Sequence, residues 1–319
     1  MGFFSSLLSG DRGPSIRRVS PTTAASAARI HRILNVEHLQ SMPTSAARAF
    51  ALASDPNAMT SDFVSVIECD EALTARIIRI ANSAYFSRGA KASDVEKAVT
   101  NIGLDELKGI LTATMLKNLV ATKHPLRNVL WGNSIATALF AKGLSRISSH
   151  HPGNIHSGEA FLCGIVHDVG KLVMLSSGPS LYKQVIDKVA GTGISFVEAE
   201  EEIYGLDHLE VGKWVAQTWN FPQSAFESIA FHHEPWPELE KKRVGAIAPA
   251  VLIKAADTIA HSLGLGFERP FSSIVRHASD QLPEVWAHLG ISASDAQAVI
   301  ESLREAYEAE SVSYSLDNL

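Results

Sequence analysis

The stretch FLCGIVHDVGKLVM, residues 161–174, constrains this chain more than any other. His167 and Asp168 stand side by side in an apolar run, with Gly170 and Lys171 close behind. Ionisable side chains are costly to bury unless something pairs with them. A fold that buries this run must therefore bring a partner to the His-Asp pair. A metal ion, a phosphate, or other side chains and backbone would each serve.

The pattern around the pair is helical almost throughout. In CDEALTARIIRIANSAYF the apolar residues Leu73, Ile77, Ile80 and Ala84 recur three or four apart, which predicts the face of a buried helix. SDVEKAVTNIG has Ser93 and Glu96 at capping-box spacing and Gly103 at its far end. DELKGILTATMLKNLV carries Leu107, Leu111, Met115 and Leu119 on one face, and WGNSIATALFAKGLSRI reads as another apolar helix. The HDVGK stretch reads as one continuous helix. A break at Gly205-Leu206-Asp207 separates the next two, and FPQSAFESIAFHHEPWPE is a helix ended by Pro235 and Pro237. GAIAPAVLIKAADTIAHSLGLG is a long apolar helix, and the last part of the chain reads as two more. No strand pattern and no internal repeat emerges, so the expected class is all-α.

Residues 1–30, rich in Ser, Gly, Arg and Ala, read as a flexible tail. A front helical bundle is expected over 31–122, a back bundle holding the histidines over 123–265, and a helical extension over 266–319. The boundaries fall at ATKHPLR, near 120–126, and GFERPFSS, 266–273.

Net charge narrows the function. The formal charge is -6 and the pI about 6.1, which argues against a general nucleic-acid binder. Cys69 and Cys163 lie in apolar helical patterns and are expected as buried, reduced thiols. No run of about 18 uncharged apolar residues suggests a membrane span. The start, MGFFSSLLSG, is too short for a signal peptide, although Gly2 and Ser6 formally fit a myristoylation pattern. A cytoplasmic location is expected.

The polar groups of the back half form a candidate constellation: His167, Asp168, Lys171, His208, His232, His233 and Asp257. Imidazoles and carboxylates together suit divalent transition metals. Four helices offering inward polar groups is how metal sites in bundles are built. Each residue alone has a plainer reading. A histidine on an apolar helix is often only hydrogen-bonded core. Lys171 could snorkel to water. His232 and His233 could favour a helix C-terminus. Asp257 could accept from backbone or from Lys254. Together these plainer readings need several coincidences in one half of the chain.

The order His-Asp-x-Gly-Lys, a His-led helix with Gly212, His-His-Glu-Pro, then Ala-Asp resembles the HD superfamily of metal-dependent phosphohydrolases. HDVGK and HHE look especially like its cyclic-di-GMP phosphodiesterase branch, the HD-GYP proteins. Residues 37–262 as a whole resemble a narrower group, the HDOD domain of bacterial signalling. Pro43, the Asp70–Leu73 stretch, Ala81-Asn82-Ser83-Ala84-Tyr85-Phe86, Ile102-Gly103-Leu104, Trp131 and HHEP carry that resemblance.

The resemblance implies a metal held by a first His, the His-Asp pair and a late Asp, with further histidines in binuclear or trinuclear sites. Iron, manganese, zinc or magnesium are the candidate ions, and Lys171 is a candidate phosphate ligand. The first-His position is occupied here by Asn133, and an amide oxygen is a poorer ligand for a borderline metal than imidazole. HHEP is followed by Trp236 rather than by a glycine-rich substrate stretch.

Three functions stay open at this point. One is a non-catalytic regulator acting through contacts with other signalling proteins, such as sensor kinases or cyclic-di-GMP enzymes. A second is a phosphohydrolase acting on a nucleotide or cyclic dinucleotide. A third is a sensor that binds a nucleotide without cleaving it. A basic stripe, Arg76, Arg79 and Arg88, could meet an acidic partner or a phosphate, although a solvated helix face is the plainer reading.

Overall fold

The computed structural model describes residues 23–314 apart from 35, 37–47, 49–50, 53–54, 56, 84–85, 88–90, 120–123, 148–154, 243–248 and 266–270. Pro43, Ala84, Tyr85, Arg88 and residues 1–22 of the expected tail thus lie outside the described residues, as do the side chains of Met115 and Leu119.

The described chain is helical, with no strand. Helix α1 spans Ala24–Ile33, so the expected tail gives way to a helix before residue 30. Thr23 starts it by accepting from the Ser26 N–H. Next come α2 (Thr60–Glu68), α3 (Glu71–Ala81), α4 (Val95–Ile102) and α5 (Leu104–Leu119). Asp70 caps α3 and Asp94 caps α4, each accepting a backbone N–H three residues on. The α4 cap is thus Asp94, not Ser93: the helix starts one residue later, and the Asp94 carboxylate accepts the Lys97 N–H. Leu73, Ile77, Ile80, Leu107 and Leu111 are all buried, as their spacing predicts. Cys69 is exposed, because it sits just past the end of α2 where the apolar period has run out. Cys163 is buried, and burial pushes its thiol up to about 12.

The chain continues through α6 (Leu126–Ile147), α7 (Ser157–Val166), α8 (Val169–Ser177), α9 (Pro179–Thr192), α10 (Phe196–Tyr204), α11 (His208–Thr218), α12 (Gln223–Phe231), α13 (Trp236–Lys242) and α14 (Pro249–Ser262). Pro237 opens α13 rather than ending α12, since a first-turn proline sacrifices no helical hydrogen bond. After α14 come α15 (Ser272–Leu289), α16 (Ala293–Glu310) and a 3-10 turn, Ser311–Tyr314.

One core joins these parts. Helices α6 and α7 pack closely because Gly164 has no Cβ; one built there would meet Ala138 Cα at 2.4 Å. Buried Lys142 on α6 pairs with Glu106 on α5 and Glu310 on α16, both at 2.8 Å. Trp131 Nε1 donates to the Tyr314 carbonyl at 2.9 Å, and Tyr314 is wholly buried. The last turn is thus part of the core. At the other end α1 lies against α11, with an Arg29–Glu210 ion pair and the His31 ring edge-on to Trp214 at 5.2 Å. Ser157–Ser177 is apolar enough by composition to cross a membrane, but its most apolar window is 89% packed inside the protein.

Candidate metal centre

The His-Asp pair does not continue a helix. Helix α7 ends at Val166, Asp168 sits at φ -103° and ψ 20°, and α8 begins at Val169. His167 and Lys171 therefore do not meet as two residues on one helical face. Instead Lys171 Nζ turns back to Asp168 Oδ2 at 2.6 Å. The break lets both side chains of the pair point into one space between helices.

Two glycines bring the other ligands to that space. A Cβ at Gly170 would lie 2.0 Å from the His208 carbonyl oxygen, so only glycine lets α8 meet the start of α11. A Cβ at Gly212 would lie 2.6 Å from Ile229 Cγ2, so glycine again permits α11 to meet α12, which leads into His232. The Gly of HDVGK and the Gly of EVGKW are thus packing residues that position histidines.

Three imidazoles converge with their Nδ1 atoms already committed. His167 Nδ1 donates to the Gly164 carbonyl at 2.7 Å, and His232 Nδ1 to the Ser228 carbonyl at 2.9 Å. His208 Nδ1 donates to Glu200 Oε2 at 2.6 Å. That leaves Nε2 of each ring inside the protein with no hydrogen-bond partner, along with Asp168 Oδ1. His208 Nε2 and His232 Nε2 lie 3.4 and 3.5 Å from that oxygen. Two ligands of one tetrahedral ion, each about 2.1 Å from it, lie about 3.4 Å apart. Asp168, His208, His232 and His233 each offer a ligand atom, all within 4.8 Å of one another, and His233 alone of the four is exposed. Orphaned, pre-oriented nitrogens around an orphaned carboxylate oxygen fit a divalent transition metal.

The opposite side of Asp168 is different. Its Oδ2 faces the Lys171 ammonium and, at 3.4 Å, His167 Nε2. His167 Nε2 is also 3.5 Å from Asp257 Oδ1. That Asp257 oxygen accepts from Asn133 Nδ2 and from Thr137 Oγ1, both at 3.1 Å. His261 Nδ1 stands 3.5 Å from Asp257 Oδ2. Every candidate from the sequence is therefore gathered here, with Asn133 beside the late Asp.

The charges sort accordingly. Burial alone would lower His167, but Asp168 and Asp257 overcome it and raise the imidazole to about 10. Burial drives His232 down to about 4, which leaves it neutral and able to ligate. Burial opposes ionisation of Asp168 and Asp257, yet Lys171 and His167 hold the first well below its usual range, and His261 and His167 the second.

Four residues outside the sequence candidates support the centre: Glu200, Tyr182, Thr137 and His261. Glu200, wholly buried, accepts the Nδ1–H and the backbone N–H of His208 and the Tyr182 hydroxyl. It lies within an EEE run that looks like a solvated face, and no spacing ties it to His208. Thr137 and His261 were within reach, because each stands four residues after a candidate on the same helix.

A cavity of about 550 Å³ opens onto the centre, bounded by Lys171, His232 and His233 at its floor. The start of α10, α14 and α15 form its walls.

A family model of the HDOD domain matches residues 39–235. A Treponema pallidum (strain Nichols) protein, itself uncharacterised, is 27% identical over 229 residues, covering 71% of this chain and 44% of the relative. The chain thus spans less than half of that relative. Among solved structures, a protein from Marinobacter aquaeolei VT8 named for signal transduction superposes with a TM-score of 0.73 at 19% identity, covering 95% of this chain and 67% of its own. A candidate phosphohydrolase from Shewanella amazonensis SB2B gives 0.66 at 22%, covering 92% and 98%. An HDOD domain protein of unknown function from Geobacter sulfurreducens gives 0.63 at 24%, covering 88% and 97%. At these identities the likeness is one of fold.

Proposed function

Because the chain belongs to the HDOD domain family, we propose that it is a non-catalytic regulatory module of signal transduction, whose His/Asp centre holds one divalent metal ion. Its output runs through contacts with other signalling proteins, and its front bundle is the proposed docking part. The neighbour named for signal transduction supports this setting.

The observation that carries the reading is the Asn133–Asp257 hydrogen bond at 3.1 Å. In a hydrolase of this superfamily the first His and the late Asp would both be ligands. Here an amide stands beside that Asp and occupies its oxygen. The Lys171 ammonium, 2.6 Å from Asp168 Oδ2, stands as a cation on the side where a second ion would bridge. What remains is a single seat formed by Asp168 Oδ1, His208, His232 and His233. A bound ion there would act as a Lewis acid and acidify a coordinated water. The chain's own residues orient the imidazoles, keep the inner side dry and fix one charge arrangement.

The test is hydrolysis of cyclic di-GMP and bis(p-nitrophenyl) phosphate by protein loaded with manganese, iron, zinc or magnesium. The expected result is no turnover above free metal in buffer. Turnover that disappears in His208→Ala would overturn the reading in favour of a phosphohydrolase.

A further inference from the structure

Helix α1 lies before residue 39, where the match to the family begins, yet it packs against the helix that opens with His208. On α11, His208 and Gly212 stand four residues apart and share one face, the one that meets α8 and α12. Glu210 and Trp214 each stand two residues further on, about 200° round, and so share the opposite face. Both meet α1: Glu210 pairs with Arg29, and Trp214 meets the His31 ring edge-on at 5.2 Å. Helix α11 is thus held between the centre on one side and α1 on the other.

Burial fastens α1. Ile30 and Leu34, four residues apart, are both buried in the core. The side chains of the Arg29–Glu210 pair are partly exposed, so the pair adds little energy. What it adds is register, because it fixes α1 over the first turn of α11. That turn places the ligand. Asp207 caps it by accepting the Glu210 N–H at 2.8 Å, and Glu200 accepts from the His208 ring at its start. Glu210 therefore has its backbone in the cap beside His208 and its side chain on α1.

We propose that α1 is a strap on the metal centre. Docked on α11, it holds His208 in its ligating position; released, it lets the first turn of α11 loosen and metal affinity fall. The coupling is reciprocal, so a bound ion fastens α1 in turn. Helix α1 thereby carries the state of a buried centre to the surface, where His31 and Arg32 are exposed. The proposal rests on the reading that the centre holds one metal ion, and it adds a means of regulation to that reading.

The test is hydrogen–deuterium exchange of the full chain, stripped by chelator and reloaded with zinc, beside zinc affinity measured by competition with a chromogenic chelator. In the wild-type chain zinc should slow exchange across residues 24–34 and leave α16 unchanged. Arg29→Glu sets like charges against Glu210, so it should speed that exchange and weaken zinc binding by about fivefold or more. Adding Glu210→Arg restores the pair with its sense reversed and should bring both back. Ile30→Asp puts a charge on the buried side of α1 and should release it further. Thermal melts establish that the variants fold, and the wild-type arm decides without them. A folded variant in which residues 24–34 exchange freely while zinc binds as in wild type overturns the proposal. Zinc that leaves α1 exchange unchanged in the wild type overturns it too, as does zinc that slows α1 and α16 alike, because that is global stabilisation. A wild-type chain that binds no zinc, manganese or iron overturns the metal reading itself and the coupling with it, so the two failures are distinguishable.

Discussion

Glu200 accepts both the Nδ1–H and the backbone N–H of His208, at 2.6 and 2.8 Å, with the Tyr182 hydroxyl on its other oxygen at 2.7 Å. A carboxylate behind a ligating imidazole fixes the ring and raises its basicity. Glu200→Gln is therefore expected to weaken metal binding by about 10- to 100-fold, measured by competition with a chromogenic chelator. In a His208→Ala background the same change should cost no further affinity. An additive loss there would mean that Glu200 acts on the fold rather than through His208.

Gly170 and Gly191 make a matched pair. A Cβ at Gly170 meets the His208 carbonyl at 2.0 Å, whereas one at Gly191 meets nothing within 4 Å. Gly170→Ala should destabilise the chain by about 1–3 kcal/mol through overpacking, and metal affinity should fall with it. Gly191→Ala, in the last turn of α9, should stabilise by up to about 1 kcal/mol. Urea denaturation midpoints check both, and equal effects at the two sites would contradict this account of the α8–α11 contact.

The metal-free protein should be alkali-sensitive. The folded chain raises His167 from 6.5 to about 10, so it binds this proton more tightly than the unfolded chain does. Its contribution to stability is fully present below pH 6.5 and is lost as pH rises through about 10. Asp168 and Asp257 are lowered below 3.8, so their contribution is present above that value and is lost as pH falls. Denaturant unfolding in the presence of a chelator should show stability declining across pH 7–10. A flat profile over that range would show that His167 is not protonated in the folded state.

Much of this was legible before the fold was known. The apolar periods of α3 and α5, the break at Gly205–Asp207 and the convergence of seven polar residues all follow from spacing and from the cost of burying charge. The family resemblance added Asn133. Other features were hidden for definite reasons. The turn at His167-Asp168 carries no Gly or Pro at the pair itself, so periodicity runs straight through it. Glu200 belongs to an acidic run, and only tertiary packing separates it from its solvated neighbours Glu201 and Glu202. Helix α1 reads as tail because Ile30 and Ile33 are its only large apolar residues. Its stability comes from contacts on α11 that a local pattern does not contain.

The central claim is that the centre still holds a metal, and the most direct test is the metal content of full-length protein purified without chelator or metal-affinity resin. Plasma mass spectrometry should find about one transition-metal ion per chain, lost in His208→Ala while the variant stays folded. Near-zero metal, unchanged after incubation with manganese, iron or zinc, would contradict the account and leave the His/Asp cluster as a hydrogen-bonded core.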